Sequence, residues 1–446
     1  MDATYRQVPA HRRGGFAMPQ RTASALPVTL AAVLVYLLLI PQQFNITLGG
    51  IYLSAFRVFL LGGSLYVLSN ALQKNLRFAW PDLMVILAVA WIWLASYMSS
   101  GSVLTALEMG GSHTVDMGLA YFFARATIRT PTDLRRLLVL ITPGIFIIGS
   151  VIAAEALGRA YILQPIASAL TGQPMPINYE IRMGLLRGTA SFPHPILAGI
   201  VMASFLPIFL MSGLRGWPKI LGVIAGGFGV FSMSSAAMLG VVVGGGLVAY
   251  DWLTERIANV TWRLFMIIVI VLYVSVELTS NSGFYGLLIK YASLNTGSAY
   301  NRILIWDFGV ENVAQHPWFG IGYADWDRPK WMHWGSFDHF WLISALRFGI
   351  PSAFFLLAAT LIALVMVVTR SRDLPLHDAR LLRGIAISLA VFALGLNSVT
   401  LWMGALVWFF MLIGITVSLG TPPLRRMRVY QRPARQPQAQ EPLVQS

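Results

Sequence analysis

The chain contains no cysteine and little charge. Only 11% of its 446 residues are charged, whereas a soluble globular domain carries roughly 25%. The low charge argues against a soluble protein, and the missing cysteine excludes disulfides, thiolate metal sites and cysteine nucleophiles. Acidic residues are few as well, with 18 Asp and Glu against 32 Lys and Arg. Such a basic excess can indicate nucleic-acid binding, so its position along the chain matters.

Apolar residues are abundant, at 57% of the chain, and they form runs of roughly 15 to 25 residues, the length of a membrane-spanning helix. We therefore predict an all-α, polytopic membrane protein with about 12 transmembrane helices. The runs lie at residues 23–40, 48–69, 82–98, 112–128, 137–157, 194–212, 217–233, 235–250, 262–279, 339–369, 384–397 and 400–420. The run 339–369 is too long for one straight span, and we expect Gly349-Ile350-Pro351 to break it, with 339–346 either re-entrant or part of a tilted span.

The basic residues lie mostly in alternate connections between these runs. With both termini in the cytoplasm, every cytoplasmic segment is basic, as membrane orientation requires, so no nucleic-acid partner is needed to explain the charge. The N-terminal tail 1–22 and a C-terminal tail 421–446, which we expect to be disordered, flank a transmembrane domain at 23–420. Two outer segments, about 158–193 and 280–337, are long enough to form structure and carry function.

The first candidate residues lie in the longer outer segment and just after it. His339 stands where the chain re-enters the bilayer from outside, and an imidazole there is costly unless it is used or hydrogen-bonded. A packing histidine paired with Asp338 is the alternative. Upstream, we expect Ser298 to cap a helix that runs through about Ala314. Arg302 near its start is either functional or a snorkelling arginine.

The remaining candidates lie in the shorter outer segment and within the predicted spans. Arg187 and His194 flank a Gly-Thr-Ala-Ser-Phe-Pro sequence, and Pro195 then leads into a span. Proline is common in a first helical turn. Arg57 and Arg347 fall inside predicted spans, where a charge is by default functional. A salt bridge to Glu155 or Glu277 is the structural alternative for either arginine.

Together these segments resemble the O-antigen ligase and polymerase superfamily of bacterial membrane glycosyltransferases, over roughly residues 180–400. The matching residues are Arg187-Gly188, Phe192-Pro193-His194-Pro195, Asn301-Arg302, Trp306, His316-Pro317, Gly320-Ile321-Gly322, and His339 with Leu342 before Gly349. The stretch 51–57, which ends in Arg57, looks like the second-helix arginine region of exopolysaccharide polymerases in this superfamily. One departure is Phe340, where many members have asparagine.

The resemblance implies a metal-independent, inverting transfer of a glycan from an undecaprenyl diphosphate carrier to a sugar hydroxyl, on the periplasmic face of the inner membrane and without a cofactor. Arg187 and Arg302 would stabilise the leaving diphosphate, and His339 would act as the base. The substrate-binding residues it implies are Arg57, His194, Trp306, Asp338 and Arg347. The acceptor is a glycan or lipid A-core, and a chain-length regulator is a further expected partner.

Three alternatives stay open. A polymerase and an O-antigen ligase use the same kind of donor and differ in acceptor; the Arg57 region and the Phe-Pro-His-Pro segment favour the polymerase. A secondary transporter or flippase is less favoured, because no long central cytoplasmic link and no paired broken helices stand out. Asp325-Trp326-Asp327 resembles the metal-binding motif of nucleotide-sugar glycosyltransferases, but it lies on the outer face, where such donors are absent.

Overall fold

The computed structural model describes residues 26–48, 51–73, 76–280, 286, 296–332 and 335–422. The predicted N-terminal tail, almost all of the predicted C-terminal tail and most of residues 281–295 in the longer outer segment lie outside these residues.

The described residues are mainly helical. The helices are α1 Leu26–Leu38, α2 Ala55–Leu72, α3 Trp80–Ser100, α4 Val103–His113, α5 Ala120–Thr127, α6 Pro131–Gly158, α7 Leu163–Thr171, α8 Pro195–Met211, α9 Trp217–Phe228, α10 Ser235–Thr254, α11 Trp262–Thr279, α12 Thr296–Gln315, α13 Phe340–Phe348, α14 Ile350–Ser371, α15 Leu376–Gly395 and α16 Met403–Gly420. A π-helical turn, Thr114–Leu119, joins α4 to α5, and a 3-10 turn, Gly229–Ser232, follows α9.

Strands are short and few among the described residues. β1 Asn45–Leu48 pairs antiparallel with β2 Ile51–Ser54, and β3 Ile181–Arg182 pairs with β4 Leu185–Leu186. The predicted all-α class is therefore confirmed, with two small hairpins added.

Seven described helices are long and apolar enough to cross a membrane: α2, α3, α6, α10, α11, α14 and α16. Three shorter apolar helices accompany them, namely α1, α8, and α9 with its 3-10 turn. None of the residues of α11 is buried, although the helix is strongly apolar, as expected of a helix that faces lipid. These features confirm a polytopic membrane protein.

The core lies around α8 and α16, which are buried along almost their whole length. The Phe205 ring packs 4.7 Å from the Trp408 ring, and the Trp408 indole donates a hydrogen bond of 3.0 Å to the Ser204 hydroxyl. Ser388 of α15 donates to the Ser204 carbonyl oxygen. Such satisfied polar contacts fix helix register where apolar packing alone is non-directional.

Two expectations about helix ends have different outcomes. Gly349 separates α13 from α14 at φ 83°, and a Cβ there would lie 1.7 Å from the Trp318 carbonyl oxygen, so only glycine fits the predicted break. The expectation that Ser298 caps α12 is wrong. Ser298 lies within the helix, whose described residues are Thr296–Gln315, and so does not precede it as a cap would.

Candidate active site

His339 caps the N-terminus of α13. Its Nδ1 accepts a hydrogen bond of 3.1 Å from the backbone N–H of Leu342, and the residue is only 3% exposed. The ring lies 5.4 Å from that of Trp306 on α12. Nδ1 of His339 is therefore bonded to the backbone of Leu342 rather than to Asp338.

Arg302 of α12 is buried next to the turn between α15 and α16. Its Nη2 donates to the Ser398 carbonyl oxygen at 3.4 Å. The same turn accepts two hydrogen bonds from the backbone N–H of Phe340, at the Leu396 and Val399 carbonyl oxygens. This turn therefore holds the beginning of α13 next to α12. The sequence offered no signal for it, since the apolar runs around it leave only two residues between them.

Arg187 lies beyond β4 in the shorter outer segment and is 4% exposed. Its Nη1 donates a hydrogen bond of 2.5 Å to Glu180, whereas its Nε and Nη2 have no hydrogen-bond partner in the described part of the chain. Partial burial raises the pKa of Glu180, but the charges of Arg187 and Arg182 outweigh it and hold that pKa below its usual value. Arg187 thus retains hydrogen-bonding capacity for a further acceptor.

The Arg187 loop is held by Glu155, which is fully buried near the end of α6. One carboxylate oxygen accepts from the backbone N–H groups of Thr189 and Ala190, at 2.9 and 2.8 Å. The other accepts from Ile162 at 2.9 Å and Leu163 at 3.4 Å. Charge-assisted bonds of this kind are the stronger ones in proteins, so Glu155 anchors the loop and is not the ion-pair partner of Arg57 or Arg347.

Asp338 lies within the electrostatic reach of both Arg302 and Arg187. Burial raises the pKa of its carboxyl above the usual value, and the two arginines oppose that rise. Within the described residues its carboxylate has no hydrogen bond and no ion pair. We call Arg187, Arg302, Asp338 and His339 the first polar group.

His194 lies beside this group as the N-cap of α8. Its Nδ1 accepts a hydrogen bond of 3.2 Å from the backbone N–H of Ile196, and its ring lies 5.9 Å from Trp402. It interacts electrostatically with Arg187. The structure thus brings five of the eight predicted site residues close together, and Trp306 joins them through its contact with His339.

Arg57 belongs to a second region. It forms a bidentate ion pair with Asp116, with Nε to Oδ1 at 2.9 Å and Nη2 to Oδ2 at 2.6 Å, and it also donates to the Tyr52 carbonyl oxygen. Its partner is therefore Asp116 rather than Glu155 or Glu277. Asp116 lies inside the predicted apolar run 112–128, and an acid at that depth was a signal that the sequence analysis missed.

Arg347 lies in the same second region, in the last turn of α13. Its guanidinium is 4.2 Å from the centre of the Tyr323 ring, and no ion pair to it is present among the described residues. His113 interacts electrostatically with Arg347, Asp116 and Arg57. We call Arg57, His113, Asp116, Tyr323 and Arg347 the second polar group. His339 and Arg347 are eight residues apart in the chain, which along a helix is about 12 Å.

The first carboxylate of the Asp325-Trp326-Asp327 motif is engaged in an ion pair. Asp325 pairs with Arg328 at 2.5 Å. Among the residues that the structure describes, no group of three or more His, Asp or Glu side chains could hold a metal ion.

The described chain is thus a polytopic helical membrane protein with a cluster of buried polar residues, and buried ionisable residues in such a protein mark a candidate functional site. Residues 220–360 match the family model described as O-antigen ligase. The match confirms the resemblance to the O-antigen ligase and polymerase superfamily, whose members act on lipid-linked glycans. It includes Arg302, Asp338, His339 and Arg347 but not Arg187 or Arg57. No curated protein matches the chain.

Proposed function

We propose that the protein is a polysaccharide polymerase of the bacterial inner membrane. It transfers a glycan from undecaprenyl diphosphate to a sugar hydroxyl in exopolysaccharide or O-antigen biosynthesis. The observation that supports this function best is that Arg187 and Arg302 both act electrostatically on Asp338, the neighbour of His339 in the chain. Two guanidinium groups and two proton-transfer residues suit a reaction with a diphosphate leaving group and a hydroxyl nucleophile.

The charge that develops during the transfer reaction suggests a role for each arginine. Negative charge builds on the carrier diphosphate as the glycosidic bond breaks, and the uncommitted Nε and Nη2 of Arg187 can donate to its oxygens. Arg302 of α12 supplies the second guanidinium group. The acceptor hydroxyl attacks from the face opposite the leaving diphosphate, which inverts the anomeric carbon. No cofactor takes part in this scheme.

The proposed topology has 12 spans with both termini in the cytoplasm and the first polar group facing the periplasm. The seven long helices and three shorter apolar ones supply ten of the predicted runs, and α4 with α5 and α15 coincide with the other two. The outer segments then contain α7, the β3–β4 hairpin and α12. This places Arg187 and Arg302 on the face where carrier-linked glycans are exposed.

The second polar group supports a polymerase over a ligase. In polymerisation both donor and acceptor are attached to a carrier diphosphate, so two cationic sites are useful. Arg347, about 12 Å along α13 from His339, has no carboxylate partner among the described residues and can bind the second diphosphate, with Arg57 beside it. A ligase that transfers glycan to lipid A-core is the alternative.

The test is the glycan profile of a strain that lacks the protein, complemented with wild type, His339→Ala or the exposed-site control His316→Ala. A polymerase predicts that single carrier-linked repeat units accumulate in the deletion and His339→Ala strains, at normal levels of inserted protein. Long chains on the carrier with bare lipid A-core would show a ligase instead. An unchanged profile in the deletion strain would contradict both enzyme functions.

A further inference from the structure

The hydrogen bond at the N-cap of α13 determines where the proton of a neutral His339 lies. A neutral imidazole has one nitrogen that donates and one that accepts. Because Nδ1 accepts from the Leu342 N–H at 3.1 Å, the ring proton is on Nε2. The Nε2 atom then donates a hydrogen bond and has no lone pair with which to remove a proton.

The opposite tautomer is disfavoured by the same contact. If Nε2 were to act as a base, Nδ1 would have to carry a proton that faces the Leu342 N–H. Two donors would then oppose each other at a buried helix end, and the cap bond would be lost. His339 is therefore held as a hydrogen-bond donor toward whatever Nε2 faces.

His194 shows that this arrangement is repeated. Its Nδ1 accepts from the Ile196 N–H at the start of α8, so its Nε2 also carries the proton. His113 has the reverse arrangement, because its Nδ1 lies 2.8 Å from the Met109 carbonyl oxygen and must donate to it. The tautomer thus follows from the backbone group that each Nδ1 faces, and the protein contains both kinds.

Asp338 has the proton-accepting group that His339 lacks at Nε2. Its carboxylate has no hydrogen bond or ion pair within the described residues, and Arg302 and Arg187 both act on it. The two positive charges oppose the rise that burial causes in the pKa of this carboxyl and so favour its ionised form, which can accept a proton. If Arg187 and Arg302 bind the diphosphate, as the proposed function has it, the carboxylate on which both act lies near the reacting sugar.

We propose that Asp338 is the proton acceptor of the transfer and that His339 is an Nε2–H donor to the leaving diphosphate. The acceptor hydroxyl oxygen bonds to the anomeric carbon of the donor, while the bond from that carbon to the diphosphate oxygen breaks and its electron pair leaves with the diphosphate. The hydroxyl proton passes to the Asp338 carboxylate and from there to water. This inference rests on the proposed function.

The first test measures glycan transfer by the full-length protein in phospholipid vesicles, with carrier-linked repeat units extracted from the deletion strain. Asp338→Asn should lower the turnover number at least about 100-fold, while Asp327→Asn, an exposed carboxylate of the same outer segment, leaves it unchanged. His339→Gln keeps a side-chain N–H donor and should be clearly more active than His339→Ala. Near-normal turnover of Asp338→Asn, or equal loss in both His339 variants, would overturn the proposal.

The second test needs no variant to be active. Solid-state NMR of wild-type protein with ¹⁵N-labelled histidines, in vesicles at neutral pH, reports which ring nitrogen carries the proton, and the signal missing in His339→Gln identifies His339. We expect protonated Nε2 at His339 and His194 and protonated Nδ1 at His113. Protonated Nδ1 at His339 would overturn the proposal. Failure of the wild type to join repeat units would instead contradict the proposed function and leave the tautomer result standing.

Discussion

The two ends of α13 present two different ways of burying charge. At the second polar group, Arg57 and Asp116 complete each other through two short hydrogen bonds, and Arg347 lies on an aromatic ring. At the first polar group, Arg187 keeps two nitrogen atoms without partners among the described residues, and Asp338 is likewise unpaired there. Buried charge is costly in both places, but among the described residues fully buried side-chain atoms without a hydrogen-bond partner occur at Arg187 of the first group and at no residue of the second.

This difference separates the Arg57–Asp116 ion pair, which joins two parts of the bundle, from Arg187, to which the proposed function assigns diphosphate binding. A completed ion pair links α2 to the π-helical turn and gains little from a ligand. Unsatisfied guanidinium nitrogens gain much when a diphosphate arrives, because the ligand supplies the missing acceptors. Substitutions at the two ends should therefore differ in what they damage.

The largest expected effect is on transfer, at the first polar group. Arg187→Ala and Arg302→Ala should abolish it at normal levels of inserted protein, and Arg187→Lys should lower it at least about 100-fold, because lysine keeps the charge but loses the planar fork. Arg347→Lys should lose much less, and Arg370→Lys, in an exposed pair with Asp373, should resemble wild type. Equal losses in Arg187→Lys and Arg347→Lys, measured as turnover in vesicles, would remove the distinction between the two groups.

The next effect is on stability, at the second polar group. Asp116→Asn leaves the Arg57 guanidinium, whose side chain is 14% exposed, without its counter-charge, and we expect a loss of about 3–5 kcal/mol. Thermal unfolding in detergent micelles measures it. The double variant Arg57→Met with Asp116→Leu should recover most of the loss, whereas Asp373→Asn, in an exposed pair, should change stability by about 1 kcal/mol or less. A stable Asp116→Asn protein would argue against the structural role of the pair.

The smallest effect concerns Glu180, whose side chain is 49% exposed. Its pKa is lower in the folded protein than in the unfolded chain, so the pair with Arg187 stabilises the fold fully above the unfolded-state pKa of about 4.3. That stabilisation is lost as the pH falls through the lower folded-state value. Glu180→Gln should therefore cost about 1 kcal/mol or less at pH 7, and the difference from wild type should vanish in strong acid. A difference that grows on acidification would contradict this sign.

Sequence analysis identified the catalytic candidates because their residue types are costly at their positions. Arg187, Arg302 and His339 lie at or near the membrane, where a charge or an imidazole is costly and is therefore a candidate for a functional role. The break at Gly349 was also predictable, because Gly349 and Pro351 interrupt a single apolar run. The ion-pair and hydrogen-bond partners of the buried arginines could not be predicted from the sequence. Arg57 and Asp116 are 59 residues apart, and Arg302 and Ser398 are 96 apart.

The sequence by itself determined the class of protein, a polytopic membrane protein, and the positions of its apolar runs. It also determined the candidate site residues, because charge is so costly in lipid that each charged residue in or beside an apolar run can be recognised. Only the tertiary structure decided which of these charged and polar residues interact with one another. Arg187 and Arg302 both act electrostatically on Asp338, Arg57 pairs with Asp116, and the Leu342 N–H donates a hydrogen bond to Nδ1 of His339. Hydrogen bonds act over about 3 Å between particular atoms, and which atoms come that close depends on how distant helices pack, which no local pattern encodes.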